Sequence, residues 1–119
     1  MTVRCTGEPV RVSVCHCLAC QQRTGSAFSA QARFPENAVT VDGSTAQYER
    51  IADSGAWIRY RFCPRCGSNA LYRTQEEPGL IAVPLGNFAN PHAFSAPATS
   101  VYEERAFDWV TVAAGSHHR

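Results

Sequence analysis

Residues 15–20 are Cys15-His16-Cys17-Leu18-Ala19-Cys20, and residues 63–67 are Cys63-Pro64-Arg65-Cys66-Gly67. The first stretch places three thiols within six residues, and the second has the form of a zinc knuckle. Pro64 stiffens that turn and Gly67 can adopt a positive φ just after the second thiol. A Cys-x-x-Cys spacing lets two sulfurs of one turn reach one ion, and zinc is the metal most often held in this way. The five cysteines therefore predict a fold organised around bound Zn²⁺.

The composition is that of one small globular domain, residues 1–119. Hydrophobic residues make up 45% of the chain and charged residues 18%, which excludes a disordered protein. The net charge of +1 gives no basis for binding nucleic acid or an anionic membrane. The N-terminal residues lack the apolar segment of a signal peptide, and no stretch approaches the length of a membrane span. These features predict a cytoplasmic protein, whose clustered cysteines bind metal rather than form disulfides.

Short segments of alternating apolar and polar residues predict a mainly β fold. The strand from Val10 to Val14 leads to Cys15, and residues 15–25 are predicted as a loop with one helical turn after Cys17. Turn residues separate further predicted strands at 27–34, 39–41, 47–50, 56–62, 69–73, 80–85 and 100–103. Residues 115–119 are predicted to be a frayed tail.

Three arrangements of the thiols are compatible with their spacing. A single closed site built from Cys17, Cys20, Cys63 and Cys66 would be a structural staple and would leave Cys15 without a role. A zinc held by Cys15, Cys17 and Cys20 would keep its fourth position open, as catalytic zinc sites do. In the third arrangement, Cys63 and Cys66 join another ligand around a separate structural ion. The additional thiol of Cys15, which a closed site does not need, favours a separate triplet site.

The segment from Cys15 to Gly25 resembles the Cys-His-Cys-x-x-Cys segment of the glutathione-dependent formaldehyde-activating enzyme family. Residues 63–67 resemble the second cysteine pair of that family, and residues 7–9, 101–105 and 109–110 also fit its pattern. The resemblance implies an Mss4-like fold, a complex of twisted, mostly antiparallel sheets. It further implies that Cys15, Cys17 and Cys20 bind a catalytic Zn²⁺, while Cys63 and Cys66 help to bind a structural Zn²⁺.

The chain departs from the family pattern at its N-terminus. Members usually begin with a Cys-x-Cys-Gly segment that completes the structural site, and that segment is missing here. Cys5 does not match it, because the resemblance places Cys5 on the first strand. Three explanations stay open: the protein begins upstream of Met1, the structural site is vacant, or other groups complete it. Cys5, His117 and His118 could be such groups, although a lone cysteine is most often a core residue and terminal histidines are most often solvated.

The resemblance implies a carbon–sulfur lyase that interconverts glutathione plus formaldehyde with S-(hydroxymethyl)glutathione. A thiol at the open position of the triplet site would be deprotonated near neutral pH and would act as the nucleophile. Arg23 is a candidate for clamping a glutathione carboxylate, whereas His16 is expected to point away from the ligands on either side of it. The alternatives are a non-catalytic zinc-stapled binding module and a thiol redox protein using Cys17 and Cys20. The sequence leaves open whether the chain forms a homodimer.

Overall fold

The computed structural model describes all residues, 1–119, as ten β-strands and one α-helix joined by turns and three short 3₁₀ segments. The strands are β1 (Thr2–Cys5), β2 (Arg11–Cys15), β3 (Ser29–Pro35), β4 (Val39–Asp42), β5 (Ala46–Ile51), β6 (Trp57–Phe62), β7 (Asn69–Thr74), β8 (Leu80–Pro84), β9 (Thr99–Val101) and β10 (Ser116–His117). The helix α1 (Leu18–Thr24) follows β2. The predicted mainly β class is confirmed.

Most strands belong to one large sheet. Its strand order is β10-β9-β2-β3-β8-β7-β6-β5, while β1 and β4 form a separate antiparallel pair. Strands β2 and β10 run parallel to β9, and the other neighbours are antiparallel. The expectation of mostly antiparallel sheets is therefore met. No helix here combines the length and the apolar character needed to cross a membrane.

The apolar core lies on one face of the large sheet. Its buried members come from β2, β3, β7 and β8: Val12, Ala32, Phe34, Leu71, Ile81 and Val83. The β1–β4 pair covers this core with Val3, Cys5, Val39 and Val41. Because successive side chains of a strand point to opposite faces, the residues between the core positions face the other side. There they line an open cleft, to which β2 contributes Arg11, Ser13 and Cys15.

Two local predictions from the sequence are corrected by the structure. The segment after Cys17 is a helix of 7 residues rather than a single turn. The segment 115–119 is not frayed, because Ser116–His117 forms β10 beside β9. The His118 N–H donates to the Ser100 carbonyl at 2.8 Å, and the Glu103 N–H donates to the His118 carbonyl at 2.9 Å. These partners are remote in sequence, so local pattern and composition gave no sign of the strand.

Candidate metal centre and adjoining cleft

Three thiols meet where β2 passes into α1. Cys15 ends β2, Cys17 is the N-cap of α1, and Cys20 lies in its first turn. Their sulfur atoms all lie within 4.8 Å of one another. In a tetrahedral zinc site with Zn–S bonds of about 2.3 Å, the sulfurs are about 3.8 Å apart. The triplet therefore fits three ligands of a tetrahedral ion with little movement.

The backbone around the triplet is held by hydrogen bonds that the local sequence supplies. The Cys20 N–H donates to the Cys17 sulfur at 3.4 Å, which closes the first turn of α1. Gly25 ends the helix at φ 63°, a conformation that glycine adopts without the steric cost of a Cβ atom. The Gln21 side-chain amide donates to the carbonyls of His16 and Arg105 at 2.8 and 2.9 Å. The segment that carries the triplet is thus held by hydrogen bonds within α1 and by one to the distant residue Arg105.

The three thiols are electrostatically coupled. Hydrogen bonds from Cys15 and Cys17 lower the pKa of the Cys20 thiol, and the charge of Arg23 acts in the same direction. Hydrogen bonds to Cys17 and Cys20, together with burial, raise the pKa of the Cys15 thiol. Cys15 and Cys20 therefore do not lose their protons independently of each other. A site that gathers sulfur ligands and a thiolate in this way is suited to a soft or borderline cation.

His16 points away from the thiols, as expected. Its side chain is 2% exposed on the core side of β2. The Nε2 atom lies 3.0 Å from the hydroxyl oxygen of Ser100, a residue of β9 that is fully buried. The ring packs against Phe28 with a centroid distance of 5.6 Å. His16 therefore ties β2 to β9 behind the metal centre.

The second cysteine pair is separate from the triplet. Cys63 and Cys66 lie in the turn between β6 and β7, where Gly67 has a φ of 79° as expected. The Gly67 N–H donates to the Cys63 carbonyl at 2.8 Å, which gives the turn the knuckle form. The triplet is the only group of three or more potential ligands within mutual reach, and neither Cys63 nor Cys66 belongs to it.

The three residues considered as partners of the second pair lie elsewhere. Cys5 packs against the core and pairs with Val39 in the β1–β4 ladder. The His117 ring contacts the Glu103 carboxylate, and the His118 ring lies 3.3 Å from the Ser116 hydroxyl. The role of Cys63 and Cys66 as ligands of a structural zinc therefore stays a prediction, and none of these three residues completes their site. No third ligand atom lies within mutual reach of both sulfurs.

A cleft of about 780 Å³ opens beside the triplet. This volume is within the range of about 300–1,000 Å³ that is typical of small-molecule sites. The cleft floor is the face of the large sheet opposite the core, and α1 with Cys15, Cys17 and Cys20 lies along one wall. The triplet is thus open to a pocket large enough for a small peptide.

Arg23, the predicted substrate-binding residue, lines this cleft but is largely engaged by the protein. Its Nη1 donates to the Asn69 side-chain oxygen at 2.6 Å. Its guanidinium carbon lies 5.3 and 5.0 Å from the ring centroids of Tyr60 and Tyr72. Its buried Nε has no hydrogen-bond partner. Binding of substrate by Arg23 remains a prediction, and its evident role is to join α1 to the sheet.

Sequence reasoning missed most of the polar residues of the cleft. Arg11 and Ser13 precede Cys15 at alternate positions of β2, and Gln31 and Arg33 lie opposite them on β3. The alternation in Arg11–Cys15 was a usable signal, because it places these three polar side chains on one face. Nothing local indicated that β3 would bring further polar residues to the same face.

Tyr102, at the mouth of the cleft, has an unusual backbone. Its φ of 56° makes it the one non-glycine residue with a positive φ, and it directly follows β9. The His16 N–H donates to the preceding carbonyl, that of Val101, at 3.1 Å. Strained residues of this kind cluster at functional sites, and this one lies beside the triplet. No sequence pattern signals the strain, because tyrosine has no preference for the left-handed region.

Comparison with protein families gives one result. The family model described as glutathione-dependent formaldehyde-activating enzyme matches residues 1–105, which is most of the chain and includes both cysteine motifs and the cleft. Comparison with curated proteins finds no match. The match agrees with the triplet and its neighbouring cleft, and on its extent the chain belongs to the glutathione-dependent formaldehyde-activating enzyme family.

Proposed function

We propose that the protein is a carbon–sulfur lyase that interconverts glutathione plus formaldehyde with S-(hydroxymethyl)glutathione. The observation that carries this proposal is the triplet at the wall of a peptide-sized cleft. Three thiolate ligands would leave a fourth position of a bound ion open, and the cleft would give a substrate thiol access to it. The family supplies the chemistry of glutathione and formaldehyde. We place the protein in the cytoplasm, where its six free cysteines would stay reduced.

Cys15, Cys17 and Cys20 would hold a Zn²⁺ ion, which their sulfur donors and mutual distances fit. When bound, the ion would supply the positive charge that lowers the pKa of a thiol at the open position. The chain holds the cluster in place from behind through His16 and Gln21. Cys63 and Cys66 are proposed as ligands of a second, structural ion. They provide only half of such a site here, so no catalytic role is assigned to them.

The reaction needs little more from the protein than orientation. The sulfur of glutathione forms a bond to the carbonyl carbon, the π electrons of that carbonyl move to its oxygen, and the oxygen takes the proton that the thiol released. The reverse direction breaks the same carbon–sulfur bond. The cleft would hold the tripeptide along its polar floor, and the tyrosine rings beneath Arg23 would form an apolar side wall. Orientation of this kind is a major source of rate enhancement.

The test is the rate of exchange between glutathione, formaldehyde and their adduct, measured by NMR exchange spectroscopy with zinc-loaded protein. We expect acceleration by the native protein and at least a tenfold loss in Cys15→Ser, together with a loss of bound zinc, because a structural or catalytic zinc site needs each thiolate. The matched control is Cys5→Ala, which removes a thiol outside the triplet. It is expected to retain both zinc and activity.

The opposite result would identify the alternative function. Zinc-loaded protein that neither binds glutathione nor accelerates the exchange would contradict the lyase proposal. Zinc that stays bound in Cys15→Ser would further show that Cys15 is not a ligand. Together these results would support a non-catalytic zinc-stapled binding module.

A further inference from the structure

The floor of the cleft carries a buried row of polar side chains next to the thiols. Ser13, Ser29 and Gln31 are only 5%, 4% and 2% exposed. In the register of β2 and β3, Cys15 lies opposite Ser29 and Ser13 opposite Gln31. Burying such groups without hydrogen bonds costs free energy. The donors and acceptors of this row are therefore expected to have partners.

The hydrogen bonds leave one donor of Ser13 unused. The Ser29 hydroxyl donates to Oε1 of Gln31 at 3.0 Å, which orients the amide so that its Nε2 donates to the Ser13 oxygen at 3.0 Å. Nη1 of Arg33 donates to the same oxygen at 2.7 Å. A hydroxyl oxygen has two acceptor lone pairs and one hydrogen. With both lone pairs occupied, Ser13 can only donate, and no acceptor of the protein takes its hydrogen.

The same end of the cleft carries Arg11 and Arg33 together with the carboxylates of Glu76 and Glu77. Glu77 receives two contacts of 2.8 Å from Nη2 of Arg11, and Nε of Arg33 lies 3.2 Å from its carboxylate. Two guanidinium groups thus share one carboxylate. The Arg33 side chain is 13% exposed, and three of its five N–H groups remain after its bonds to Glu77 and Ser13. Unused guanidinium donors in a partly desolvated site favour an anion.

The spacing of this end from the thiols matches a small peptide. Ser13 and Cys15 lie on the same face of β2, two residues apart, which corresponds to about 7 Å. In a peptide with a central cysteine, the sulfur and the carboxylate of the next residue are also separated by about 7 Å, given a Cα spacing of 3.8 Å. A substrate whose sulfur meets the triplet can therefore place a carboxylate at Ser13 and Arg33.

We propose that Ser13 and Arg33, with Arg11 beside them, form a subsite for a carboxylate of the thiol substrate. The subsite rests on the proposed function, since it assumes that the substrate sulfur lies at the triplet. It assigns the specificity of the enzyme: thiols bearing a carboxylate about 7 Å from the sulfur are bound, and neutral thiols are not selected. Arg33 supplies the charge, and Ser13 supplies the neutral donor.

The test uses S-methylglutathione, a probe whose sulfur is blocked so that it binds without reacting. Its dissociation constant is measured by calorimetry or NMR titration on native protein, Arg33→Gln and Ser13→Ala. We expect binding to weaken about 10- to 100-fold in Arg33→Gln and about 3- to 10-fold in Ser13→Ala, the usual effects of losing charged and neutral hydrogen bonds. The matched control is Arg73→Gln. It breaks an exposed ion pair with Glu36 outside the cleft and should leave binding unchanged.

Esters of the probe show which carboxylate is bound. If the glycyl carboxylate occupies the subsite, its ester should bind weakly to native protein. The dissociation constant should then be about the same as that of the free acid with Arg33→Gln. If the α-carboxylate of the γ-glutamyl residue occupies the subsite instead, the ester at that carboxylate should show the same weak binding. Arg33→Lys keeps the charge but loses the planar fork, and we expect it to recover only part of the affinity. That outcome would separate recognition by Arg33 from a general loss of folding.

The subsite proposal is overturned if S-methylglutathione does not bind. It is also overturned if S-methylglutathione and its two esters have equal dissociation constants with native protein and with Arg33→Gln. Failure of the proposed function is seen separately, as the absence of accelerated exchange with free glutathione and formaldehyde. An enzyme that accelerates this exchange but binds the esters as well as the acid would retain the lyase function and lose the carboxylate subsite.

Discussion

At the scale of single residues, the same side chain takes on different chemistry according to its neighbours. Cys5 is half-buried against the core, and burial raises the pKa of its thiol. Cys66 is exposed, and its sulfur lies 3.3 Å from the Ser68 hydroxyl. The hydroxyl and nearby backbone lower the pKa of the Cys66 thiol to about 7. The sequence context of Cys5 indicated a core residue, whereas the contact of Cys66 with Ser68 is seen only in the structure.

This difference predicts the order of alkylation in metal-free protein. At pH 7 a thiol with a pKa of about 7 is half ionised, whereas an ordinary thiol with a pKa of about 8.5 is only about 3% ionised. Iodoacetamide should therefore modify Cys66 at least tenfold faster than Cys5, as followed by mass spectrometry of the peptides. Ser68→Ala should slow the alkylation of Cys66 at pH 7. The alkylation rate of this variant should return to the native value as the pH rises above the usual thiol pKa. Equal rates for Cys66 in both proteins would contradict the assigned role of Ser68.

At the scale of secondary structure, α1 is stabilised by its ends rather than by its faces. It has 7 residues, none of them buried, and isolated helices of this length are unstable. The Cys17 sulfur caps its first turn, and the Thr24 hydroxyl donates to the Cys20 carbonyl at 2.8 Å near its end. Gly25 completes the C-terminus in the left-handed region. The proposed metal ligands Cys17 and Cys20 therefore depend on a helix whose stability comes from caps and from contacts with distant segments.

The C-cap can be tested with a matched pair of glycine substitutions. Gly25→Ala should lower the free energy of unfolding by about 1 kcal/mol, because a residue with a Cβ atom is strained at positive φ. The new Cβ would meet no atom within 4 Å, so the cost comes from the backbone alone. Gly86→Ala, which also meets no atom and has no positive φ, is the control and should change stability by only a few tenths of a kcal/mol. Urea denaturation measures both, and equal effects would show that the cap geometry is unimportant.

At the scale of the whole molecule, one contact links the metal centre to the far strands of the sheet. Arg23 leaves α1, lies over the rings of Tyr60 and Tyr72, and donates to Asn69 at the start of β7. The Asn69 amide in turn donates to the carbonyls of Arg61 and Leu71 at 2.9 and 3.1 Å, beside the irregularity between β6 and β7. The triplet and the Cys63–Cys66 turn are thus connected through a single arginine–asparagine pair.

This link predicts a stability effect that exposed arginines do not have. Arg23→Met keeps the apolar stem but loses a charged hydrogen bond and two cation–π contacts, and we expect a loss of about 2 kcal/mol in the free energy of unfolding. Arg73→Met, which breaks the exposed pair with Glu36, should cost less than about 1 kcal/mol. Thermal and urea denaturation provide the measurement. If Arg23→Met unfolds like the native protein but binds glutathione poorly, Arg23 is a substrate ligand instead of a structural link.

The sequence by itself determined the features that depend on short spacing. The thiols of Cys15, Cys17 and Cys20 reach a common point because one strand end and one helical turn bring them there. The alternating segments predicted most strands, and the paired cysteine motifs indicated the family. These features can be predicted without knowing which distant residues are neighbours. The periods of a strand, 2.0 residues, and of a helix, 3.6 residues, depend only on residues close in sequence.

Only the tertiary structure decided what surrounds the triplet. The register of β2 with β3 brings Arg33 and Gln31 to Ser13, and Glu77 reaches Arg11 from the turn between β7 and β8. Pairing with β9 turns residues 116–117 into a strand. Such contacts follow from which strands become neighbours in the sheet. That choice is made by burial of the whole core rather than by any local pattern, so it could not be predicted from the sequence around each residue.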